Sequence, residues 1–163
     1  MSLVKRLWGI DITVPGRVWN TIIACGWLCI IVIASLSAGL PTSLWFNVKS
    51  VHVEDTTVGK PPVMDIERII NADFMATWLV EVEQQLHGGY AVMCAARGES
   101  AYRTDAVLPD PTTLDWWTYP VKCDLPAGRY RVETTWQMDI PFAPVKVVRV
   151  VSNVFTVNDL VDG

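Results

Sequence analysis

Two histidines, four cysteines and seventeen carboxylates are the residues of this chain whose types could do chemistry. Histidine is the usual general base near neutral pH and the commonest metal ligand. His52 stands beside Glu54 and Asp55, and His87 precedes the turn pair Gly88-Gly89. Neither has the three or four closely spaced ligands that a zinc site wants, and both read as surface histidines. The chain has no Gly-x-Ser-x-Gly, no phosphate-cradling glycine loop and no His-Glu-x-x-His. Its carboxylates scatter over what read as solvated faces, and none pairs off as an acid and a base. No catalytic residue, metal or cofactor is therefore expected, and the chain does not read as an enzyme.

The cysteines divide into two kinds. Cys25 and Cys29 are one helical turn apart in an apolar run, where they read as packing filler or as a small-residue face for helix–helix contact. Cys94 and Cys123 lie far outside that run. Being the only two there, they can pair in only one way, and a disulfide is expected between them. The loop it would close is about thirty residues long, for which chain entropy gives roughly 3.5 kcal/mol.

Within that loop, residues 97–115 (RGESAYRTDAVLPDPTTLD) are polar, broken by proline and too long for a hairpin turn. Long loops on a rigid scaffold are usually functional or disordered, and tied ends argue against disorder. Arg103 lies inside the loop, and Trp116, Trp117 and Tyr119 come just after it. Arginine, tryptophan and tyrosine dominate protein-binding hot spots, so these four are the candidate partner-binding residues. The competing reading is that one or two of the rings cap a hydrophobic core.

The elements that must position these residues begin with a membrane anchor. No charged residue occurs between Arg17 and Lys49, and mean hydropathy over the chain is positive at +0.29. Residues 21–40 (TIIACGWLCIIVIASLSAGL) are almost wholly apolar. At about 1.5 Å per residue they span roughly 30 Å, the thickness of a bilayer's hydrocarbon core. Pro41 stops the helix. Trp19 before the run, and Trp45 with Phe46 after it, read as aromatic rings at the two membrane interfaces. The 41–46 stretch is then an interfacial linker.

Residues 1–20 carry Lys5, Arg6 and Arg17 against Asp11, a net of +2, while everything after the helix sums to −6. The excess of basic residues before the helix puts that tail in the cytoplasm and residues 47–163 outside it. Leu3, Leu7, Trp8 and Ile10 around Lys5 and Arg6 hint at a short interfacial helix ended by Pro15. Small residues at Ser35, Ser37 and Gly39 would also permit cleavage as a signal peptide, but the tail and apolar run are both long for one. The outer part is acidic and would repel phosphates, so no nucleic-acid partner is expected.

That outer part reads as strands. Phe74, Ala76, Trp78, Val80 and Val82 alternate with residues that become polar at Glu81 and Glu83. Tyr130, Val132, Thr134, Trp136 and Met138 alternate with Arg129, Arg131, Glu133, Thr135 and Gln137. Period two of this kind marks half-buried antiparallel strands. Val51 and Val53 begin the series, residues 90–96 form a short strand, and the valine-rich 146–157 run is apolar on both faces. Glycine and proline punctuate the intervals, which argues for a mainly β, two-sheet sandwich.

Residues 125–132 (LPAGRYRV) resemble the corner of an immunoglobulin or fibronectin type III strand. There a tyrosine two residues after a glycine hydrogen-bonds back to the backbone. The resemblance implies an immunoglobulin-like sandwich, with Trp78 as the central core tryptophan. Val132 stands where an antibody domain would carry its second bridging cysteine, so Cys94–Cys123 must staple a different pair of elements. Residues 108–118 (LPDPTTLDWWT) and 149–155 (RVVSNVF) resemble small membrane-anchored proteins of phages and prophages of alphaproteobacteria. That resemblance implies a bacterial inner membrane, a host membrane or a virion as the setting, with the outer domain periplasmic. Two functions are then expected from different classes. One is a non-enzymatic binding module presenting its sandwich to an envelope or virion protein. The other is a structural subunit of a virion or lysis complex, a homo-oligomer associating through its helix.

Overall fold

The computed structural model describes residues 4–7, 10–13, 16–141 and 143–159. The chain falls into two compact units, one holding residues up to 40 and the other most of the remaining chain.

In the first unit, strands β1 (Val4–Leu7) and β2 (Ile10–Thr13) pair antiparallel. The expected interfacial helix is therefore corrected to a hairpin. Val4, Ile10, Ile12 and Thr13 are β-branched and favour the extended chain, which outweighs the leucine spacing. Leu3, Trp8 and Pro15 lie outside the described residues. Helix α1 (Gly16–Gly39) comes next, starting before the apolar run and taking in Trp19. Its 24 residues extend about 36 Å at 1.5 Å per residue. Its described side chains are exposed all round, and it is long and apolar enough to cross a membrane.

A 3-10 turn at Thr42–Leu44 leads into the second unit, a two-sheet β structure. The chain forms β3 (Phe46–Val53), β4 (Thr56–Thr57), β5 (Val63–Ile70), β6 (Phe74–Leu86), β7 (Gly89–Tyr102) and β8 (Thr112–Thr113). One helical turn, α2 (Leu114–Trp117), precedes β9 (Gly128–Asp139), β10 (Lys146–Val151) and β11 (Phe155–Asn158). The smaller sheet has the order β3-β5-β8. The larger runs β4-β11-β9-β6-β7, with β10 also beside β9. Pairing is antiparallel except between β4 and β11, so the chain crosses from one sheet to the other between β3 and β4.

The inward rows agree with the period-two patterns: Phe74, Ala76, Val80 and Val82 of β6 and Tyr130, Val132, Trp136 and Met138 of β9 are all buried. Two aromatic assignments change. Phe46 is only 1% exposed and packs against Phe74, Tyr102 and Trp136, so it is a core residue and not a membrane-interface one. β3 starts at that residue, and burying its ring removes more apolar surface from water than the linker reading allowed. The central tryptophan is Trp136, fully buried on β9 and donating from Nε1 to the Tyr102 hydroxyl at 2.9 Å. Trp78 faces it across the β6–β9 pair but is only half-buried.

Tyr130 donates its hydroxyl proton to the Pro126 carbonyl at 2.8 Å, as the sequence motif implied. A Cβ at Gly128 would meet the Tyr130 ring at an ordinary contact distance of 3.4 Å and the flexible end of Gln84 at 2.8 Å. The single valine-rich run is broken between β10 and β11 by residues 152–154. At the break Val132 N–H donates to Ser152 Oγ at 2.9 Å. The next side chain, Asn153, acts as a piece of backbone. Its Oδ1 accepts from Val53 N–H at 2.7 Å and its Nδ2 donates to Val53 C=O at 2.9 Å, tying β3 to the far sheet.

Candidate functional site

The segment after β7 was expected to be a loop from Arg97, but β7 continues to Tyr102. Gly98 stands at mid-strand. In the fold the Trp78 ring lies on it, with a would-be Cβ only 2.5 Å from the indole, so the missing side chain is replaced by a cross-strand ring. The loop proper starts at Arg103. It touches the smaller sheet where Thr112 and Thr113 pair with Met64 and Val63 as β8. Thr113 then caps α2, its hydroxyl facing the Trp116 N–H at 3.4 Å. Thr118 is fully buried, its hydroxyl 3.0 Å from Leu114 C=O and 2.8 Å from Val121 C=O.

This single turn sends its neighbouring rings in opposite directions. Trp117 is 8% exposed and donates from Nε1 to Thr134 Oγ1 at 3.1 Å, between the sheets. Its ring meets Trp136 edge-on at 6.1 Å. Trp117 therefore caps the core, as one of the two sequence readings allowed. Trp116 and Tyr119 stay at the surface, 49% and 74% exposed. Cys94 on β7 and Cys123 beyond the turn are bonded, with Cα atoms 5.8 Å apart, so the segment is stapled to the edge of the larger sheet.

Between this segment, β7 and β5 opens a cleft of about 400 Å³. Trp78, Trp116 and Tyr119 line it with accessible aromatic surface, and the buried rings of Tyr102, Trp117 and Trp136 form its floor. Trp78 Nε1 is spent on Ser100 Oγ at 3.1 Å, which leaves the indole face as its contact surface. Among the described residues that line the cleft, the one cation is Arg68, at an inward position of β5 after Met64 and Ile66. Its guanidinium sits 5.5 Å from the centre of the Tyr102 ring, and among the described residues no carboxylate pairs with it. Burial lowers the Arg68 pKa from its ordinary value, partly offset by Tyr102. Burial likewise raises the Tyr102 pKa, against the Trp136 hydrogen bond and the charge of Arg68.

Of the residues singled out in the sequence, the structure brings Trp116, Trp117 and Tyr119 together. Arg103 lies apart, exposed beside Asp73 and Asp139 at a different depression. Sequence reasoning missed Arg68, Tyr102 and the second role of Trp78. The signal for Arg68 was present, as an arginine in phase with Met64 and Ile66 on an alternating strand. A further hollow of about 440 Å³ lies between residues 56–62 and 122–126. It is lined by Lys60, Lys122, Asp115 and Asp124 without aromatic surface, and offers a ligand little that water does not. Among the described residues no cluster of three or more histidine, cysteine or acidic side chains could hold a metal. His52 and His87 are exposed.

Comparison with known proteins returns no family model, no curated protein and no solved structure that matches the chain.

Proposed function

We propose that this chain is a membrane-anchored, non-catalytic binding module whose immunoglobulin-like sandwich offers the aromatic cleft to a protein partner. The observation that carries the reading is Arg68. A half-buried guanidinium without an acidic partner is costly to leave in an apolar cleft, and a ligand carboxylate would compensate it. Aromatic walls around such a cation suit a segment with an acidic residue beside apolar or ring-bearing ones. The strand order supports the immunoglobulin-like description: a three-stranded sheet faces a larger one, and a tyrosine corner opens β9. Helix α1 supplies the anchor, with the basic tail in the cytoplasm and the sandwich outside. In the phage setting that the sequence resembles, the partner is an envelope or virion protein.

Site-directed photo-crosslinking of the full chain in its native membrane tests this. A crosslinker at Tyr119 should yield one adduct of discrete mass, which Arg68→Gln and Trp116→Ala each reduce severalfold. An adduct unaffected by both substitutions overturns the cleft as the binding site. Association that depends only on the Cys25–Cys29 face of α1 favours the alternative, a structural subunit assembling through its helix.

A further inference from the structure

β7 is the edge strand of the larger sheet over all 14 of its residues and pairs only with β6. Among the described residues, no backbone hydrogen bond from another element reaches its outer side. An extended row of free N–H and C=O groups is a template for another strand. The sandwich's other edges are shorter: β3 has eight residues, with Val53 at its end held by Asn153, β10 has six, and β4 and β8 have two each.

The composition of this edge specifies what it would pair with. Residues 95–101 read Ala-Ala-Arg-Gly-Glu-Ser-Ala: small side chains, with one cation and one anion flanking Gly98. Arg97 and Glu99 are both exposed, and their alternation with the inward Ala96 and Tyr102 places them on one face of the sheet. Neither has an ion-pair partner among the described residues. If two copies of β7 lie antiparallel about a two-fold axis through Gly98, Arg97 of each stands opposite Glu99 of the other. The symmetry makes that favourable cross-strand pair twice. Sliding the register by two residues sets Arg97 against Arg97, or Glu99 against Glu99, and both alternatives repel. The small residues at 95, 96, 100 and 101 leave the two backbones free to approach to strand spacing.

We propose that β7 is the docking edge for a second copy of this chain, joining two larger sheets into one continuous sheet with Gly98 at its centre. The contact runs along the backbone edge of β7 and borders the cleft at Ser100 and Ala101, and it does not involve α1.

The test is the mass of the full chain in detergent micelles, measured by sedimentation together with light scattering over a concentration series. The wild type should be dimeric. Arg97→Glu and Glu99→Arg should each weaken dimerisation by roughly tenfold or more, because every reversed pair occurs twice. The double variant carrying both changes restores opposite charges and should restore the dimer. A wild type that stays monomeric overturns the proposal, as does a dimer indifferent to both single reversals. A double variant that remains as weak as the single ones overturns it too, since the charges would then act through something other than this register. Unchanged thermal melting of the single variants separates lost association from lost folding.

Discussion

Tyr130 shows how much one polar atom can fix. Its ring is fully buried beside Phe155, while its hydroxyl closes the approach to β9 by holding Pro126 C=O. Tyr130→Phe keeps the ring and removes the bond, leaving a carbonyl to find another donor. We expect a loss of about 1–2 kcal/mol, read as a lower denaturant midpoint with unchanged slope. The two buried tyrosines also predict a pH dependence. Burial raises the pKa of Tyr102, and of Tyr130, above the ordinary 10.0. The protonated phenol is thus favoured in the folded state, so its contribution is complete below that ordinary value and is lost as pH rises through the folded one. The denaturant midpoint should stay level from neutral pH to about pH 10 and fall beyond it, the titration region of tyrosine. Tyr102→Phe should start lower, having lost the bond from Trp136, and fall less steeply. Tyr130 could be found in the sequence because its glycine stands two residues before it. The inward phase of Arg68 was readable on β5, but its place beside Tyr102 was not, because nothing local says which strand an inward arginine will meet.

At the scale of elements, legibility tracked periodicity. β6 and β9 carry clean alternation and formed as read. β5 has the same pattern in Met64, Ile66 and Arg68 against Asp65 and Glu67, but its charges hid it. β7 was read too short because the chain turns polar at Arg97, and the strand continues past that point with the Trp78 ring of the neighbouring strand lying on Gly98. The break between β10 and β11 depends on Ser152 and Asn153 bonding to strands far away in sequence, which no local pattern records. The disulfide is the element-scale feature open to direct test. With Cys25 and Cys29 replaced by serine, thiol labelling of the native chain should find nothing to react. Reduction should lower the melting temperature of the sandwich by roughly 10–20 °C, the shift that about 3 kcal/mol produces in a domain of this size. Ready labelling of both Cys94 and Cys123 would mean that the turn carrying Trp116 and Trp117 is not held in place by a covalent bond.

For the whole molecule, composition was the better guide. The apolar run before Pro41 and the strand-rich remainder were separable by charge and hydropathy alone. The junction between them was not, since Phe46 looked like an interfacial ring and proved to be the first core residue. The charge asymmetry across α1 predicts orientation: a reporter fused after Gly163 should be active only if it works outside the cytoplasm. A reporter active in the cytoplasm would reverse the topology and remove the oxidising setting that the disulfide needs.

The tie between β3 and the far sheet has a mechanical consequence. The chain passes from α1 through a single 3-10 turn into β3, so a pull on α1 along the chain enters the β structure at that strand. Drawn lengthwise, β3 and β4 slide against β5 and β11 and are not peeled from them one residue at a time. The Asn153 carboxamide on Val53, Asp55 on the Thr156 N–H and Asn158 on the Thr56 carbonyl then stretch together. Bonds loaded in parallel share the force, whereas bonds loaded in series fail in turn. The strands that follow α1 are thereby tied to residues about a hundred positions away by bonds that share a pull along them.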